Sequence, residues 1–462
     1  MNFTLQDVES MITTQRSFYF TGETRSVAFR KKMLLKLKDA IIANEEAIME
    51  ALHKDLRKSP FESYVTEIGF VLSSISHMIK HLEEWMEQET VKTPIHLQPA
   101  KSFIIREPYG SVLIIGPFNY PFQLVMEPLV GAIAGGNCAI VKPSETSVHT
   151  AQIVKKLLSK IYPSEYIRVV EGEREETSAL IHASFDKIFF TGSVAIGKVV
   201  MKAAAERLTP ITLELGGKSP ALVDQTADLR KAAERIVWGK FVNAGQTCVA
   251  PDYVLVHHSV KEELLNEMIR TIHKFYGKEA TDGPDYGRIV NGKHFDRLVG
   301  ILKNERVQIL YGGNFDRSDL YIEPTLLDNV SWDGAAMENE IFGPILPILS
   351  YGNLGEAVHQ IRQLPKPLSA YMFTENEQAA DYFIEQLPFG GGCINDTIAH
   401  VGNVNLPFGG VGPSGMNAYH GRDSFNVFTH TKAMMKKSTK IPMKLAFPPY
   451  GNKLKIVKPL IH

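Results

Sequence analysis

A strand, a glycine turn and the start of a helix follow one another in Lys187-Ile-Phe-Phe-Thr-Gly-Ser-Val-Ala-Ile-Gly197. This order is typical of a buried strand that enters a helix in a parallel α/β sheet. Further short apolar runs occur at Val112–Ile115, Ala139–Val141 and Arg168–Val170, with helical stretches between them at Pro121–Ala134, Glu145–Ile161 and Ala195–Arg207. The alternation predicts a doubly wound α/β sheet with its ligand at the carboxyl ends of the strands.

A second α/β pattern begins near Glu214 and continues to a glycine-rich segment at Pro407–Gly412. Its predicted strands and helices are Asp252–Val256, Val260–Tyr276, Val307–Leu310 and Leu354–Leu364. Residues 4–56 are predicted to be helical. Two extended runs, Val91–Ile95 and Ser102–Arg106, are joined through Pro99 and predict a hairpin outside the main sheets.

The composition is that of a globular protein without an electrostatic reason to bind nucleic acid. The 462 residues carry 50 basic and 51 acidic side chains, a net charge of −1. The three cysteines form no CxxC pair, so we expect neither a disulfide framework nor a metal site. The sequence lacks a long apolar segment and a signal-peptide pattern, which predicts a cytoplasmic protein with no integral membrane segment.

Covalent chemistry on a carbonyl group is indicated by two segments. Cys248 lies in Ala-Gly-Gln-Thr-Cys-Val, residues 244–249, where small and polar neighbours favour a nucleophile over an inert buried cysteine. Glu214 ends an apolar run and precedes two glycines, an environment that raises a carboxyl pKa and suits a base for water. A surface glutamate at a strand end is the alternative for Glu214.

An oxyanion donor is predicted at Asn119, which follows the run Val112–Ile115 and stands between two prolines. The alternative is an asparagine that only shapes the turn. For a cofactor, Gly192, Ser193 and Gly197 form a turn whose free N–H groups suit a phosphate, although Gly-x4-Gly is not the usual dinucleotide fingerprint.

Two further segments carry candidate cofactor residues. Lys142 and Glu145 follow a predicted strand and suit contact with ribose hydroxyl groups, although a helix cap explains the same residues. Glu340 and Phe342 lie in Glu-Ile-Phe-Gly-Pro, residues 340–344, where an acid and an aromatic ring flank a rigid turn. Without other support this segment is a structural turn.

Together these segments resemble the NAD(P)-dependent aldehyde dehydrogenase superfamily, and most closely its class-three branch of fatty- and aromatic-aldehyde enzymes. The resemblance covers essentially the whole chain, with the motifs in family order: Gly116–Pro121, Val141–Glu145, Phe190–Gly197, Leu213–Pro220, Gly245–Val249, Glu340–Pro344 and Pro407–Gly412. It implies an aldehyde dehydrogenase-like α/β fold with a Rossmann-type cofactor domain (1–90 and 107–213), a catalytic domain (214–411), a small β oligomerisation element (91–106 and 425–440) and a tail (441–462).

The resemblance also implies a role for each candidate. Cys248 is the nucleophile, Asn119 and the Cys248 N–H hold the oxyanion, and Glu214 activates water, with Glu340 as a possible second base. The implied cofactor contacts are Lys142 and Glu145 for the adenosine ribose, Gly192, Ser193 and Gly197 for the pyrophosphate turn, and Glu340 and Phe342 for the nicotinamide ribose and ring. We expect NAD⁺, since Glu145 repels a 2′-phosphate, with NADP⁺ also accepted.

By the same resemblance, the substrate pocket contains Phe118, Tyr120, Trp238, Ile398 and His400, each of which could instead be core packing. Large apolar side chains favour medium- or long-chain aliphatic or aromatic aldehydes. A homodimer is expected. Asn417 stands where class-three relatives usually have glycine, and we expect it to accept positive φ. The alternatives are an aldehyde dehydrogenase that transfers the acyl group to coenzyme A and a non-catalytic binding protein on the same fold.

Overall fold

The computed structural model describes residues 3–278, 280–281, 283–304, 308–440 and 447–461. Its strands, in chain order, are β1 (Glu89–Val91), β2 (Ala100–Pro108), β3 (Ser111–Ile115), β4 (Cys138–Lys142), β5 (Ile167–Val169), β6 (Lys187–Thr191), β7 (Ile211–Glu214), β8 (Pro220–Val223), β9 (Tyr253–His257), β10 (Gln308–Tyr311), β11 (Phe315–Asp316), β12 (Tyr321–Ile322), β13 (Thr325–Asp328), β14 (Ile345–Tyr351), β15 (Ser369–Phe373), β16 (Gly391–Ile394), β17 (Gly415–Met416) and β18 (Thr429–Lys437).

Helices surround these strands. They are α1 (Leu5–Phe20), α2 (Val27–Ile42), α3 (Glu45–Leu56), α4 (Pro60–Ser63), α5 (Gly69–Met86), α6 (Gln123–Gly135), α7 (Val148–Ile161), α8 (Arg174–Ile181), α9 (Val194–Ala205), α10 (Leu229–Phe241), α11 (Lys261–Tyr276), α12 (Gly292–Leu302), α13 (Ala335–Glu338), α14 (Leu354–Arg362), α15 (Glu377–Gln386), α16 (Gly421–Val427) and α17 (Leu454–Ile461). A π-helical segment, Tyr64–Ile68, joins α4 to α5. Among the residues that the structure describes, every helix is too short or too polar to cross a bilayer.

The first sheet has the strand order β17-β7-β6-β3-β4-β5 and is parallel except for β17. Strands β3, β4 and β6 are buried along their whole length, which explains their continuous apolar sequences. The chain runs outward from β3 to β4 and β5 and then returns to β6 on the other side of β3. The carboxyl ends of β3 and β6 therefore flank the switch point where such sheets bind ligands. The predicted α/β fold class is confirmed.

The second sheet has the order β10-β13-β14-β9-β8-β15-β16 and is parallel except for β10. The predicted run Asp252–Val256 corresponds to β9, displaced by one residue. The run Val307–Leu310 corresponds to β10, although Val307 itself lies outside the described residues. The predicted helices near residues 260–276 and 354–364 are α11 and α14.

A third, antiparallel sheet of β1, β2 and β18 lies apart from the two α/β sheets. The predicted hairpin is present, since Glu89–Val91 pairs with residues 102–104. Its first strand lies at Glu89–Val91 and not at the predicted Val91–Ile95, and a short 3₁₀ helix follows at Ile95–Leu97. Strand β18 pairs with β2 along nine residues, from Thr429 with Pro108 to Lys437 with Ala100. The sequence segments 91–106 and 425–440 thus meet in one sheet.

Asn417 occupies the conformation that the sequence predicts. Its φ is +67°, in the left-handed region. The side-chain amide donates a hydrogen bond to the carbonyl oxygen of Ile211 at 2.8 Å. Asparagine is more often found in this region than most residues, and the added bond ties the segment after β17 to the start of β7.

Candidate active site

The loop that carries Cys248 follows α10 and has an unusual backbone. Asn243, Ala244 and Gly245 have φ values of +53°, +51° and +75°, three consecutive residues in the left-handed region. A Cβ at Gly245 would lie 2.3 Å from the carbonyl oxygen of Gly343, so only glycine fits there. We refer to residues 243–248 as the thiol loop.

Hydrogen bonds of Gln246 hold the thiol loop in this conformation. Its side-chain nitrogen donates to the carbonyl oxygens of Asn243 at 3.0 Å and Arg288 at 2.9 Å. Its side-chain oxygen accepts the N–H of Val290 at 3.0 Å. Because Gln246 is 1% exposed, these bonds satisfy an amide that would otherwise be buried without partners. The loop is therefore fixed to the segment before α12.

Asn119 follows β3, and its side chain contacts the thiol loop. The carboxamide nitrogen donates to the carbonyl oxygen of Gln246 at 3.0 Å, which uses one of its two N–H groups. The backbone oxygen of Asn119 accepts from the side chains of Asn243 at 2.7 Å and Lys58 at 3.0 Å. Asn119 is thereby held rigidly beside the loop, with a second amide hydrogen available to a ligand.

A buried ion pair supports Asn119 from behind. The Lys58 ammonium lies 2.5 Å from a Glu67 carboxylate oxygen, and both side chains are fully buried. The other Glu67 oxygen accepts the backbone N–H groups of Phe122 at 2.9 Å and Gln123 at 3.1 Å, at the start of α6. This pair was not evident from the sequence, because charged residues 9 positions apart carry no motif.

Glu214 ends β7 next to the Cys248 thiol. Its side chain is buried, with 1% of its surface exposed, and neither carboxylate oxygen has a hydrogen bond of normal geometry to the described part of the chain. Burial raises the pKa of Glu214 to about 7, and the neighbouring side chains of Cys248 and Thr191 oppose this rise. Burial, together with the charges of Glu214 and Glu340, raises the pKa of the Cys248 thiol well above its usual value.

The glycine turn between β6 and α9 lies beside Glu214, whose backbone oxygen accepts the N–H of Gly192 at 3.0 Å. Ser193 is the N-cap of α9 and accepts the N–H of Ile196 at 3.4 Å, which leaves other first-turn N–H groups without intrahelical partners. A Cβ at Gly192 would lie 2.7 Å from the Phe190 ring, and one at Gly197 would lie 2.7 Å from Leu215. The two glycines allow the helix terminus to approach the sheet closely, an arrangement that binds phosphate groups.

Lys142 and Glu145 lie at the carboxyl end of β4. The Lys142 ammonium is 2.9 Å from Glu145 and 3.0 Å from the carbonyl oxygen of Pro143. Lys142 is 1% exposed, whereas about half of the Glu145 side chain (49%) reaches solvent. A partly exposed acid fixed by a buried lysine, next to the switch point, is suited to bind sugar hydroxyl groups.

Glu340 reaches the site from the loop between α13 and β14. A Cβ at Gly216 would lie 2.2 Å from a Glu340 oxygen, so this glycine permits the carboxyl group to approach the segment after β7. Burial and the charge of Asp252 raise the pKa of Glu340 to about 8, against the opposing contact with the N–H of Gly217. Phe342 has a φ of +49° and packs edge-on against Phe118, with 5.7 Å between ring centroids.

A cavity of about 190 Å³ opens on the other side of Cys248. Of the predicted pocket residues, Tyr120, Trp238 and Ile398 line it. Its other apolar residues, which the sequence did not indicate, include Val65, Phe70, Leu124, Val249, Phe408 and Tyr419. The hydroxyl groups of Tyr120 and Thr247 are 2.7 Å apart, which anchors the Tyr120 ring at the base of the cavity.

Phe118 and His400 do not belong to the lining of this cavity, contrary to the prediction. Phe118 instead packs against the rings of Phe342 and His294, with centroid distances of 5.7 and 4.9 Å. His400 lies 3.2 Å from the Ser369 hydroxyl group, and burial lowers its pKa to about 4. The turn at Ile398, with a φ of +37°, brings Ile398 to the cavity, whereas the His400 side chain packs beside the second sheet.

The sequence model of the aldehyde dehydrogenase family matches residues 2–434. The chain belongs to this family. It is 52% identical over 451 residues to the 4,4'-diaponeurosporen-aldehyde dehydrogenase of Staphylococcus aureus (strain NCTC 8325 / PS 47), covering 98% of each chain. It is 43% identical over 434 residues to a rat (Rattus norvegicus) protein named aldehyde dehydrogenase, dimeric NADP-preferring, covering 94% of this chain and 95% of the relative.

Solved structures agree with this assignment. The substrate-bound state of Staphylococcus aureus AldH superposes with a TM-score of 0.97 at 52% identity and covers all of both chains (100%). A mutant of the P. syringae indole-3-acetaldehyde dehydrogenase AldA, in complex with NAD⁺ and IAA, superposes with a TM-score of 0.86 at 26% identity over 94% of this chain and 90% of that one. The resemblance to class-three aldehyde dehydrogenases is confirmed, and so is the prediction of an NAD(P)-dependent enzyme.

In this aldehyde dehydrogenase the predicted residues fall into two groups around the thiol loop. Glu214 and Asn119 lie directly against the loop, whereas Ser193, Lys142 and Glu145 follow the strands of the first sheet. The supporting residues Lys58, Glu67, Asn243 and Gln246 became evident only from the structure. Of these, Asn243 and Gln246 stand within or next to the quoted cysteine motif, so their amide side chains were a usable signal.

Proposed function

We propose that this enzyme oxidises medium- or long-chain aliphatic or aromatic aldehydes to carboxylic acids through a thioester on Cys248. The observation that supports this most directly is the position of the thiol. Cys248 has the unbonded, buried carboxyl group of Glu214 as a neighbour and at the same time lines an apolar cavity. A nucleophile, a base and a place for an apolar substrate therefore meet at one sulfur atom.

The first step is the attack of the Cys248 sulfur on the aldehyde carbon. Because the thiol pKa is raised, the group rests as a neutral thiol and must lose its proton as the carbon–sulfur bond forms. Glu214 is the adjacent carboxyl group, and its pKa of about 7 allows it to accept that proton at neutral pH. The product is a thiohemiacetal whose oxygen carries the developing negative charge.

Asn119 and the backbone N–H of Cys248 stabilise this oxyanion in the proposed mechanism. One Asn119 N–H is engaged by Gln246, and the other is free to donate. The contacts from Lys58 and Asn243 hold Asn119 in place before substrate arrives, so little reorganisation is needed. Loss of such a donor typically lowers kcat by about 10²–10³-fold.

The residues at the switch point fit a nicotinamide dinucleotide. When bound, this cofactor accepts the hydride that leaves the thiohemiacetal carbon, and a thioester remains on Cys248. We assign Gly192, Ser193 and Gly197 to the pyrophosphate, Lys142 and Glu145 to the adenosine ribose, and Glu340 and Phe342 to the nicotinamide half. Gly216, where a Cβ would overlap the Glu340 carboxyl group, supports the placement of that carboxyl group in the site.

Hydrolysis of the thioester completes the reaction. In the proposed step Glu214, which has by then released to solvent the proton taken from the thiol, takes a proton from water as the water oxygen attacks the thioester carbon. The carbon–sulfur bond then breaks, the carboxylic acid forms, and the leaving Cys248 sulfur regains a proton from Glu214. A base with a pKa near 7 is well matched to this task at physiological pH. We assign the base role to Glu214 rather than Glu340 because Glu214 is the carboxyl group that neighbours the thiol at the end of a strand.

The substrate class follows from the cavity beside Cys248. Tyr120, Trp238 and Ile398 line it together with other large apolar side chains. Each buried methylene group contributes about 0.8 kcal/mol to transfer from water, so longer chains gain affinity until the cavity is filled. We therefore expect kcat/KM to rise from butanal to decanal, and a flat series would contradict this assignment.

We also propose that the enzyme is a homodimer assembled through the third sheet. Among the residues that the structure describes, β2 is the one strand that pairs with β18, and the exposed residues of β18 include Met434 (45%) and Met435 (43%). An edge strand of nine residues with apolar side chains is suited to pair with a second copy. A rat relative is named dimeric. Sedimentation of a monomer at micromolar concentration would contradict the proposal.

The decisive experiment measures reduced-nicotinamide formation from decanal and benzaldehyde with NAD⁺ and NADP⁺. We expect wild type to turn over and Cys248→Ala to be inactive. Cys393→Ala is the matched control, because Cys393 is also a partly buried thiol but lies beside His400 rather than Glu214. This variant should retain activity.

Three outcomes would contradict the proposed function or its mechanism. If wild type forms reduced cofactor only when coenzyme A is supplied, the acyl group is transferred and not hydrolysed. If no aldehyde is oxidised with either cofactor, the chain is a non-catalytic binding protein on this fold. Activity of Cys248→Ala equal to that of wild type would exclude the thioester mechanism while leaving aldehyde oxidation intact.

A further inference from the structure

A second cavity, of about 380 Å³, adjoins the cavity that contains Cys248. The two share four lining residues: Val65, Thr66, Trp238 and Val242. Val65 and Thr66 belong to the π-helical segment before α5, whereas Trp238 lies on α10 and Val242 directly follows it. The shared residues place the two cavities side by side, so an aldehyde chain with its carbonyl carbon at Cys248 must extend past these residues to reach the second cavity.

The second cavity differs from the first in its polar residues. Its lining includes Ser59, Glu62, Lys274, Tyr276 and Asp285, whereas the described lining of the first cavity contains no charged side chain. Glu62 is 9% exposed, and one of its carboxylate oxygens has no hydrogen-bond partner in the described part of the chain. Burial raises the pKa of Glu62 to about 7, with Lys58 opposing the rise.

The charges of this lining indicate which group it accepts. The lining contains two acids, Glu62 and Asp285, and one base, Lys274, which is paired with Glu234 at 2.8 Å. The charged groups of the lining are therefore mainly acidic. An acidic lining disfavours a carboxylate on the ligand. Burial raises the pKa of the Tyr276 hydroxyl group, which therefore remains a neutral donor next to the acceptor Glu62. A hydroxyl group, which both donates and accepts, satisfies both side chains.

We propose that the second cavity binds the far end of a long aldehyde and selects a hydroxyl group there. The inference rests on the proposed function, since the aldehyde end must reach Cys248 for the far end to pass Trp238 and Val65. Its substrate class is the unbranched aldehyde with a terminal hydroxyl group. A terminal methyl group leaves the Tyr276 hydroxyl group and the unpartnered Glu62 oxygen without a hydrogen-bond partner, whereas a terminal hydroxyl group can bond to both.

The experiment compares kcat/KM for pairs of equal length: hexanal with 6-hydroxyhexanal, decanal with 10-hydroxydecanal and hexadecanal with 16-hydroxyhexadecanal. At the short length the hydroxyl group lies in the apolar cavity, and we expect a hydroxyl-to-methyl ratio below one. At the length that reaches the second cavity, one net hydrogen bond predicts a ratio of about three to ten. The aldehydes with a terminal carboxylate, 10-oxodecanoate and 16-oxohexadecanoate, should be poorer substrates than the alkanal and the hydroxyalkanal of the same length.

Variants identify the residues responsible. Tyr276→Phe and Glu62→Gln should each lower the long-chain ratio towards one and leave the short-chain ratio unchanged. Tyr382→Phe is the matched control, because Tyr382 is 39% exposed on α15 and lines neither cavity. Thermal unfolding of each variant shows whether it is folded. The hydroxyl-to-methyl ratios of wild type test the proposal even if Tyr276→Phe or Glu62→Gln does not fold.

A ratio below one at every length would overturn the inference while the proposed function stands, because the alkanals are still oxidised. A raised long-chain ratio that neither variant changes would also overturn it, since the hydroxyl group would then be recognised elsewhere. If no alkanal of any length is oxidised, the proposed function itself fails.

Discussion

Glu214 and Glu340 are both buried carboxyl groups near Cys248, yet their surroundings differ. Burial raises the pKa of Glu214 to about 7 and that of Glu340 to about 8. Glu214 ends β7, the second strand of the first sheet, and its carboxyl oxygens lack hydrogen bonds to the described residues. Glu340 lies in a loop, against the N–H of Gly217 and near the charges of Lys218 and Arg297.

The difference shows that burial alone does not assign a catalytic role. A carboxyl group whose polar neighbours are a thiol and a threonine hydroxyl exchanges a proton with little loss of other contacts. A carboxyl group held by a backbone N–H and nearby cations is better suited to remain in place and accept a hydroxyl group of a ligand. The following experiments test this division, beginning with the largest expected effect.

Glu214→Gln should lower kcat by about 10²–10⁴-fold, because it removes the proposed base. A first turnover of reduced nicotinamide should form more slowly than in wild type, because Glu214 also takes the thiol proton, and it should be followed by a stall, because the thioester is not hydrolysed. Stopped-flow absorbance measures both phases. Glu127→Gln is the matched control: Glu127 has a pKa of about 7 as well, but it contacts Ser74 in the core, at 2.6 Å. If the kcat of Glu214→Gln were within threefold of that of Glu127→Gln, Glu214 would not be the catalytic base.

The pH profile of kcat/KM should fall on the acid side of pH 7. The base acts as the carboxylate, which is present above its pKa and is lost as the pH falls through it. With a pKa of about 7 for Glu214, kcat/KM should decrease about tenfold per pH unit below that value. This decrease in kcat/KM below pH 7 should be absent in Glu214→Gln and present in Glu340→Gln. Persistence in both variants would assign the titration to another group.

Glu340→Gln should raise KM for NAD⁺ by about tenfold, the effect of one hydrogen bond to a charged group. Its kcat should fall by less than its KM rises, because the thiol and Glu214 are unchanged. Initial rates at varied NAD⁺ with saturating decanal separate the two constants. A large loss of kcat at unchanged KM would instead give Glu340 the role of a base.

The smallest effect is expected at Glu145, whose side chain is about half exposed (49%). Glu145→Gln should raise the NADP⁺ to NAD⁺ ratio of kcat/KM by about fivefold, the upper range for an exposed charge pair. Raised ionic strength should reduce the difference between variant and wild type. An unchanged ratio would remove the electrostatic reason for an NAD⁺ preference.

The sequence predicted the elements of the first sheet well and the cavity poorly, for a physical reason. Strands such as β3 and β6 are buried on both faces, so their apolar runs are visible within a few residues of sequence. Glycine turns are equally local. The direction of His400 depends instead on the turn at Ile398 and on packing against Ser369. Such contacts join distant residues, and sequence spacing does not encode them.

The same reasoning explains the supporting network of Asn119. Neither Lys58 nor Glu67 has a neighbour in sequence that marks it as part of the site. Their pairing becomes evident only when the segment before α5 packs against the start of α6. The third strand of the small sheet is similar, because β18 and β2 are separated by more than 300 residues.

The hydrogen bonds that hold the thiol loop determine when the enzyme becomes active during folding. Residues 58, 119, 243 and 288 must all be docked before Cys248 is presented correctly. Contacts of such long sequence separation form late, since the intervening chain must first be ordered. A newly made or refolding chain should therefore regain helix content before it regains activity. Its aldehyde chemistry is in effect withheld until residues 58–288 have been ordered.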